Sequence, residues 1–172
     1  YVAAWNSFLF DKEYELIPID ADLDTWNFDL NKLESVVDEN SAILIVHNIG
    51  NIINVPELKK KFPNTVFLED NCEGFTGKYN DKYSGTESFA SSVSFFGNKT
   101  LTSGEGGAFV TNDDDVFEYI NQVKSQGQSN EKFVHDVLGY NYRMTNIQAA
   151  ILYGQLECLD EIKDKKHRIF QQ

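Results

Sequence analysis

Short runs rich in Val, Ile and Phe alternate along this chain with segments of helical period, and no other feature constrains the fold as much. The runs are Glu15–Asp20, Ser41–His47, Thr65–Asp70, Ser91–Phe96 and Ala108–Thr111. Three of them are apolar at nearly every position, the pattern of strands covered on both faces. Between them, Leu30, Leu33, Val36 and Val37 share one helical face, and Val116, Phe117, Ile120 and Val123 form a stripe behind the acidic start Asp113–Asp115. Gly127 is placed to end that second helix. Thr145-Asn-Ile-Gln148 has capping-box spacing and precedes Ile147, Ile151, Leu159 and Ile162, which predicts one long final helix. Strands alternating with helices predict a layered α/β domain around a mostly parallel sheet. The pair within 91–111 has too short a connection for a crossover helix, so it should be antiparallel or a hairpin-like excursion.

Charge and cysteine usage narrow the function classes. Fifteen Lys and Arg stand against 27 Asp and Glu, a formal charge of −12. Such a surface repels phosphate backbones and anionic lipid, so neither nucleic acid nor a membrane is expected as partner. No apolar run approaches the ~18 residues of a spanning helix. Cys72 and Cys158 make neither a disulfide framework nor a zinc cluster, which suits a reducing cytoplasm, and no metal site is expected. The chain opens at Tyr1, without Met or signal peptide, and reads as a piece of something longer.

Ligands of parallel α/β sheets gather beyond the carboxyl ends of the strands. Two strand ends here are polar: Glu69-Asp-Asn-Cys-Glu73, and Gly97-Asn-Lys-Thr100 followed by Gly104-Glu-Gly-Gly107. Taken singly, Asp70 reads as a turn residue or N-cap and Lys99 as a solvated charge. The glycines lack both the spacing of a dinucleotide loop and the Lys-Ser/Thr of a P-loop.

Taken together, the segments match a known pattern. Phe67-Leu-Glu-Asp-Asn-Cys-Glu73, Ser94-Phe-Phe-Gly-Asn-Lys-Thr100, Gly104-Glu-Gly-Gly-Ala-Phe-Val-Thr-Asn112 and Gly139-Tyr-Asn-Tyr-Arg-Met-Thr-Asn-Ile-Gln-Ala-Ala150 resemble, in order and spacing, the DegT/DnrJ/EryC1/StrS sugar aminotransferases. The wording is most similar to the perosamine-synthase-like branch. Weaker similarities at Tyr1–Asn6, Pro18–Asp22 and His47–Gly50 extend the resemblance over nearly the whole chain. The family has the pyridoxal phosphate (PLP) aspartate-aminotransferase fold type, a three-layer α/β/α large domain. Residues 1–172 then correspond to part of that large domain. Family members run to about twice this length, so an N-terminal portion and a small C-terminal domain would be missing.

The resemblance implies roles residue by residue. Lys99 matches the Schiff-base lysine, Asp70 the partner of the pyridine nitrogen, and Ser94 a phosphate-binding serine. Tyr1 falls where the family has a ring-stacking aromatic. Glu73 matches a Gln or Glu near the cofactor's 3′-oxygen, a role a glutamate fills only with a proton on one partner. Asn141 and Arg143 match a segment reaching the neighbouring subunit's cofactor phosphate, which implies a homodimer with shared sites; alternatively, Arg143 is a helix-start cation. His47, His135 and His167 match no role and read as core or surface residues. The implied reaction is transfer of an amino group from L-glutamate to C4 of a nucleotide-linked 4-keto-6-deoxy sugar. C3 amination and the PLP-dependent dehydratase branch are rivals within the family, but that branch has histidine where Lys99 stands. A binding protein that keeps the fold without turnover is the rival from another class.

Overall fold

The computed structural model describes residues 1–10 and 14–172. The chain divides into two compact units, Tyr1–Val93 and Ser94–Gln172. Two short helices, α1 (Val2–Asn6) and α2 (Leu30–Glu34), precede the first strand, β1 (Ala42–Val46). Helix α3 (Val55–Lys61) leads to β2 (Val66–Asp70), and a small antiparallel hairpin, β3 (Lys78–Tyr79) with β4 (Lys82–Tyr83), precedes β5 (Ala90–Ser94). β1 and β5 both run parallel to β2, with Val46 opposite Asp70 and Asp70 opposite Ser92. The expected parallel α/β sheet is therefore present.

Side chains alternate across a strand, so Ile43 and Ile45 of β1 and Phe67 of β2 point to one face. They are buried there with Leu33 of α2 and with Val55 and Leu58 of α3. Each such side chain contributes about 1.5–3 kcal/mol by leaving water. The N-terminus of α3 is set locally. Asn54 accepts a hydrogen bond from the Glu57 amide, and Pro56 sits in the first turn, where an amide would have no helical partner.

In the second unit the chain after β5 doubles back on itself. The Phe95 amide donates to the Gly106 carbonyl, and the Ser103 amide donates to the Phe95 carbonyl. This is the excursion expected where no crossover helix fits. It leads into β6 (Gly107–Thr111) and α4 (Asp114–Lys124), whose N-cap Asp113 accepts from the Val116 amide at 2.9 Å. α5 (Asn146–Glu157) and α6 (Leu159–Phe170) follow. The Thr145 capping box forms as expected, its hydroxyl accepting from the Gln148 amide while the Gln148 side chain accepts from the Thr145 amide.

Three expectations are corrected. Glu15–Asp20 forms no strand; Pro18 lacks the ladder donor, and the segment runs without regular structure into an isolated bridge between Ala21 and Phe28. Helix α2 stops at Glu34 rather than continuing to Val37, because the Ser35 hydroxyl and amide both turn onto the Lys32 carbonyl. The single final helix is two, since Cys158 leaves helical geometry (φ −105°, ψ 14°). Among the described residues no helix is long and apolar enough to cross a membrane.

Candidate functional site

The residues singled out by the resemblance fall in both units: Tyr1, Asp70 and Glu73 in the first, and Ser94, Lys99, Asn141 and Arg143 in the second.

Asp70 is the last residue of β2, only 8% exposed, at the carboxyl end of the sheet. Its Oδ1 accepts from the Cys72 amide at 3.1 Å, the contact of a turn residue. Oδ2 takes no hydrogen bond from the described residues and is open to a donor. The turn contact therefore engages one carboxylate oxygen and leaves the other unengaged among the described residues. Glu73, three residues on and half-buried, accepts from the Ile49 amide at 2.8 Å, and so holds the turn 48–50, where Ile49 has φ +56°. Tyr1 is exposed at the start of α1, where its carbonyl accepts from the Ala4 amide.

In the second unit, Ser94 ends β5, half-buried, and its hydroxyl accepts from the Phe96 amide at 3.3 Å. The turn 96–99 places the Lys99 amide on the Phe96 carbonyl, with the lysine side chain half-buried. Leu101, fully buried, anchors the loop, and Thr102 is gripped from α5: its amide donates to Gln155 Oε1, and Gln155 Nε2 donates to its carbonyl. A loop tied to a helix in this way holds its lysine more narrowly than a surface loop would.

Asn141 and Arg143 come together. The segment 140–142 pairs with the end of α4: the Tyr140 amide donates to the Val123 carbonyl and the Tyr142 amide to the Lys124 carbonyl, and Asn141 forms a bridge with Ser125. Tyr140 and Tyr142 stack at 4.9 Å with an interplanar angle of 9°, so they share one side. Alternation then sends Asn141 and Arg143 to the other, where they line a cleft of about 310 Å³ with Met144, Thr145 and Asn146. That cleft opens on the N-terminus of α5, a twelve-residue helix whose first amides and dipole favour anions. Arg143 has no ion-pair partner among the described residues, so its charge is available there. The guanidinium, the carboxamide and the helix terminus thus border one cleft. Backbone contact makes it possible: a Cβ on Gly127 (φ +73°) would lie 1.9 Å from the Val137 carbonyl oxygen, and one on Gly139 would lie 2.0 Å from the Gly127 nitrogen.

Sequence reasoning passed over a buried polar pair behind Asp70. His47 is 0% exposed and Glu69 2%, and their Nε2 and Oε2 atoms are 2.7 Å apart. Both continue the inward-facing series, after Ile45 and Phe67. A polar residue at an inward position of the period-two pattern was the signal. Burial acts to raise the Glu69 pKa, but His47, the nearby Ser88 hydroxyl and the Gly85 amide together outweigh it and hold the carboxyl below its usual range. His135 and His167 are exposed, as the surface reading has it. Among the described residues no group of three or more His, Cys, Asp and Glu side chains is arranged to hold a metal.

Comparison with known proteins places this geometry. The model of the DegT/DnrJ/EryC1/StrS aminotransferase family matches residues 1–172. GDP-perosamine synthase of Escherichia coli O157:H7 is 38% identical over 98% of this chain and 47% of its own length. Among solved structures, the Helicobacter pylori aminotransferase PseC, involved in pseudaminic acid biosynthesis, superposes with a TM-score of 0.81 at 30% identity, over 93% of this chain and 44% of that one. The GDP-4-keto-6-deoxymannose-3-dehydratase ColD, solved with bound GDP-perosamine, gives 0.76 at 28% identity, over 83% of this chain and 42% of its own. The chain thus spans about half the length of the relatives it matches. With the family model matched from end to end and relatives this similar over nearly all its residues, the chain belongs to the DegT/DnrJ/EryC1/StrS aminotransferase family.

Proposed function

We propose that the full-length protein is a PLP-dependent aminotransferase. It converts a nucleotide-linked 4-keto-6-deoxy sugar into the 4-amino-4,6-dideoxy sugar, with L-glutamate as amino donor. The observation that carries the reading is the similarity to GDP-perosamine synthase across 98% of the chain, with Asp70 present at the end of β2 and Lys99 in the turn that follows β5. Residues 1–172 would be part of the large PLP-binding domain, in an enzyme working in the cytoplasm.

The donor set fits the cofactor. Asp70 offers an open carboxylate oxygen for a protonated pyridine nitrogen, Lys99 an amine, Ser94 a hydroxyl, and the Asn141–Arg143 cleft an anion site. When bound, PLP supplies an electron sink that lets an amino group leave one substrate and join another. Lys99 would hold the cofactor through its amine and would serve as the base that moves the proton at the substrate carbon. The Asp70 charge keeps the proton on the ring nitrogen. Ser94 would hold the phosphate, joined by Asn141 and Arg143 from the neighbouring subunit of a homodimer, and Tyr1 would stack on the ring. Glu73, already bonded to Ile49, approaches the ring oxygen as an orienting residue. Lys99 also weighs against the dehydratase reading, because a lysine amine can form and release a covalent link that histidine cannot.

Borohydride reduction of the PLP-loaded protein, followed by peptide mass mapping, tests the assignment. The adduct is expected on Lys99; an adduct on another lysine would overturn it. A panel of nucleotide 4-keto sugars with glutamate then identifies the aminated product.

A further inference from the structure

The inner face of the sheet turns from apolar to polar at its carboxyl end. Ile43, Ile45 and Phe67 give way there to His47, Glu69 and Asn71, all almost completely buried. The bonds within this layer define one arrangement. The Ile53 amide donates to His47 Nδ1 at 3.2 Å, so Nδ1 carries no proton. The ring is then neutral, and its proton sits on Nε2, donated to Glu69 Oε2 at 2.7 Å. The Gly85 amide donates to the same oxygen at 2.8 Å. Asn71 Nδ2 donates to the Ser84 carbonyl at 3.0 Å, and the Ser91 hydroxyl to the Gly85 carbonyl at 2.7 Å. Gly85 has φ +80°, and a Cβ there would lie 2.6 Å from Asn71 Nδ2, so only glycine lets this backbone come so near.

These bonds have a cost. Among the described residues Glu69 Oε1 and Asn71 Oδ1 are buried with no hydrogen-bond partner, and packed apolar side chains would avoid that penalty. Glu69 directly precedes Asp70, the two side chains leaving opposite faces of β2. The backbone around Asp70 is held from both sides: the His47 amide donates to the Asp70 carbonyl and the Asn71 amide to the Ser92 carbonyl.

We propose that Glu69 and His47 are positioning residues for Asp70. Glu69 Oε2, accepting from His47 on one side and Gly85 on the other, joins β1, the tip of β2 and the loop 84–86 into one rigid unit. On the far face of that unit the Asp70 carboxylate is presented in a single orientation. This rests on the reading of Asp70 as partner of the pyridine nitrogen.

The test compares Glu69→Ala, which loses both bonds, with Glu69→Gln, whose one carboxamide oxygen can still accept both. In the full-length protein, Glu69→Ala should weaken PLP affinity about tenfold, the scale seen when outer hydrogen-bond partners of a site are removed. It should also shrink the visible circular dichroism of the bound cofactor, which reads ring orientation. Glu69→Gln should restore both signals. Ile45→Ala, a neighbouring core variant, should lower stability and leave both signals unchanged. Combined with Asp70→Asn, Glu69→Ala should add little, because it acts through Asp70. Wild-type affinity and dichroism in Glu69→Ala, the same signal loss in Ile45→Ala, or additivity with Asp70→Asn would each overturn the proposal. Nitrogen NMR of the histidine rings needs no cofactor and no variant that must fold: a neutral Nε2–H His47 supports the pair, and an imidazolium or Nδ1–H form refutes it. A wild-type protein that binds no PLP would refute the cofactor reading instead, and the NMR result would still decide the state of the pair.

Discussion

Asp70 combines a nearly buried position with one open carboxylate oxygen, and this makes its charge effective: little water is left to screen it. Asp70→Asn keeps the shape and the contact to the Cys72 amide but removes the charge. Turnover should fall by about 10² or more, some 2.7 kcal/mol of barrier, in steady-state assays of the full-length protein. Near-normal kcat would reduce Asp70 to its turn role. Glu69 gives a second residue-level expectation, in stability. Its folded pKa lies below the ordinary 4.5, so the ionised carboxyl stabilises the fold at neutral pH, and that contribution is lost as pH falls from about 4.5 through the lower folded value. Urea midpoints recorded between neutral and acid pH should therefore fall more steeply for wild type than for Glu69→Gln. Parallel curves would show that the carboxylate is not held in this way.

At the scale of elements, short local signals were legible and long ones were not. The capping box at Thr145 and the acidic start Asp113–Asp115 each lie within a turn or two, and each appears where the sequence places it, whereas Phe117 of the apolar stripe stays exposed. Helix α3 was passed over although Asn54-Val-Pro-Glu57 carries its own start signal. Glu15–Asp20 had the composition of a strand, but a strand exists only with a partner, and Pro18 removes one of its donors. Gly127 and Gly139 show what local pattern leaves out. Gly127 ends the helix as its position predicts, yet its larger consequence is backbone contact with residues 137–139, which seats the segment carrying Asn141 and Arg143. Gly127→Ala should be destabilising by about 1–3 kcal/mol or more, from positive-φ strain plus the clash at Val137, as measured by urea denaturation. A change within a few tenths would mean the turn relaxes freely.

At the scale of the whole molecule, the proposed homodimer sets a test that no single site can give. If Asn141 and Arg143 serve the neighbouring subunit's phosphate, Lys99→Ala and Arg143→Ala subunits should complement one another. In each heterodimer one of the two sites keeps both residues, so verified subunit exchange should restore up to about half the wild-type activity. Near-native circular dichroism of each variant is the prior check. Activity that stays at the level of the separate variants would place Arg143 within its own subunit's chemistry or outside it, leaving Lys99 and Asp70 unaffected. The sequence by itself determined the parallel α/β class, the helix caps and the four ordered blocks that identify the family, because periodicity, capping and motif spacing are written along the chain. Only tertiary structure decided which atom of His47 holds the proton, that Glu69 is buried against it, and that Asn141 and Arg143 face one cleft at the start of α5. Each of these depends on how the folded backbone brings particular atoms to hydrogen-bond range or onto one side, and a linear pattern does not encode that geometry.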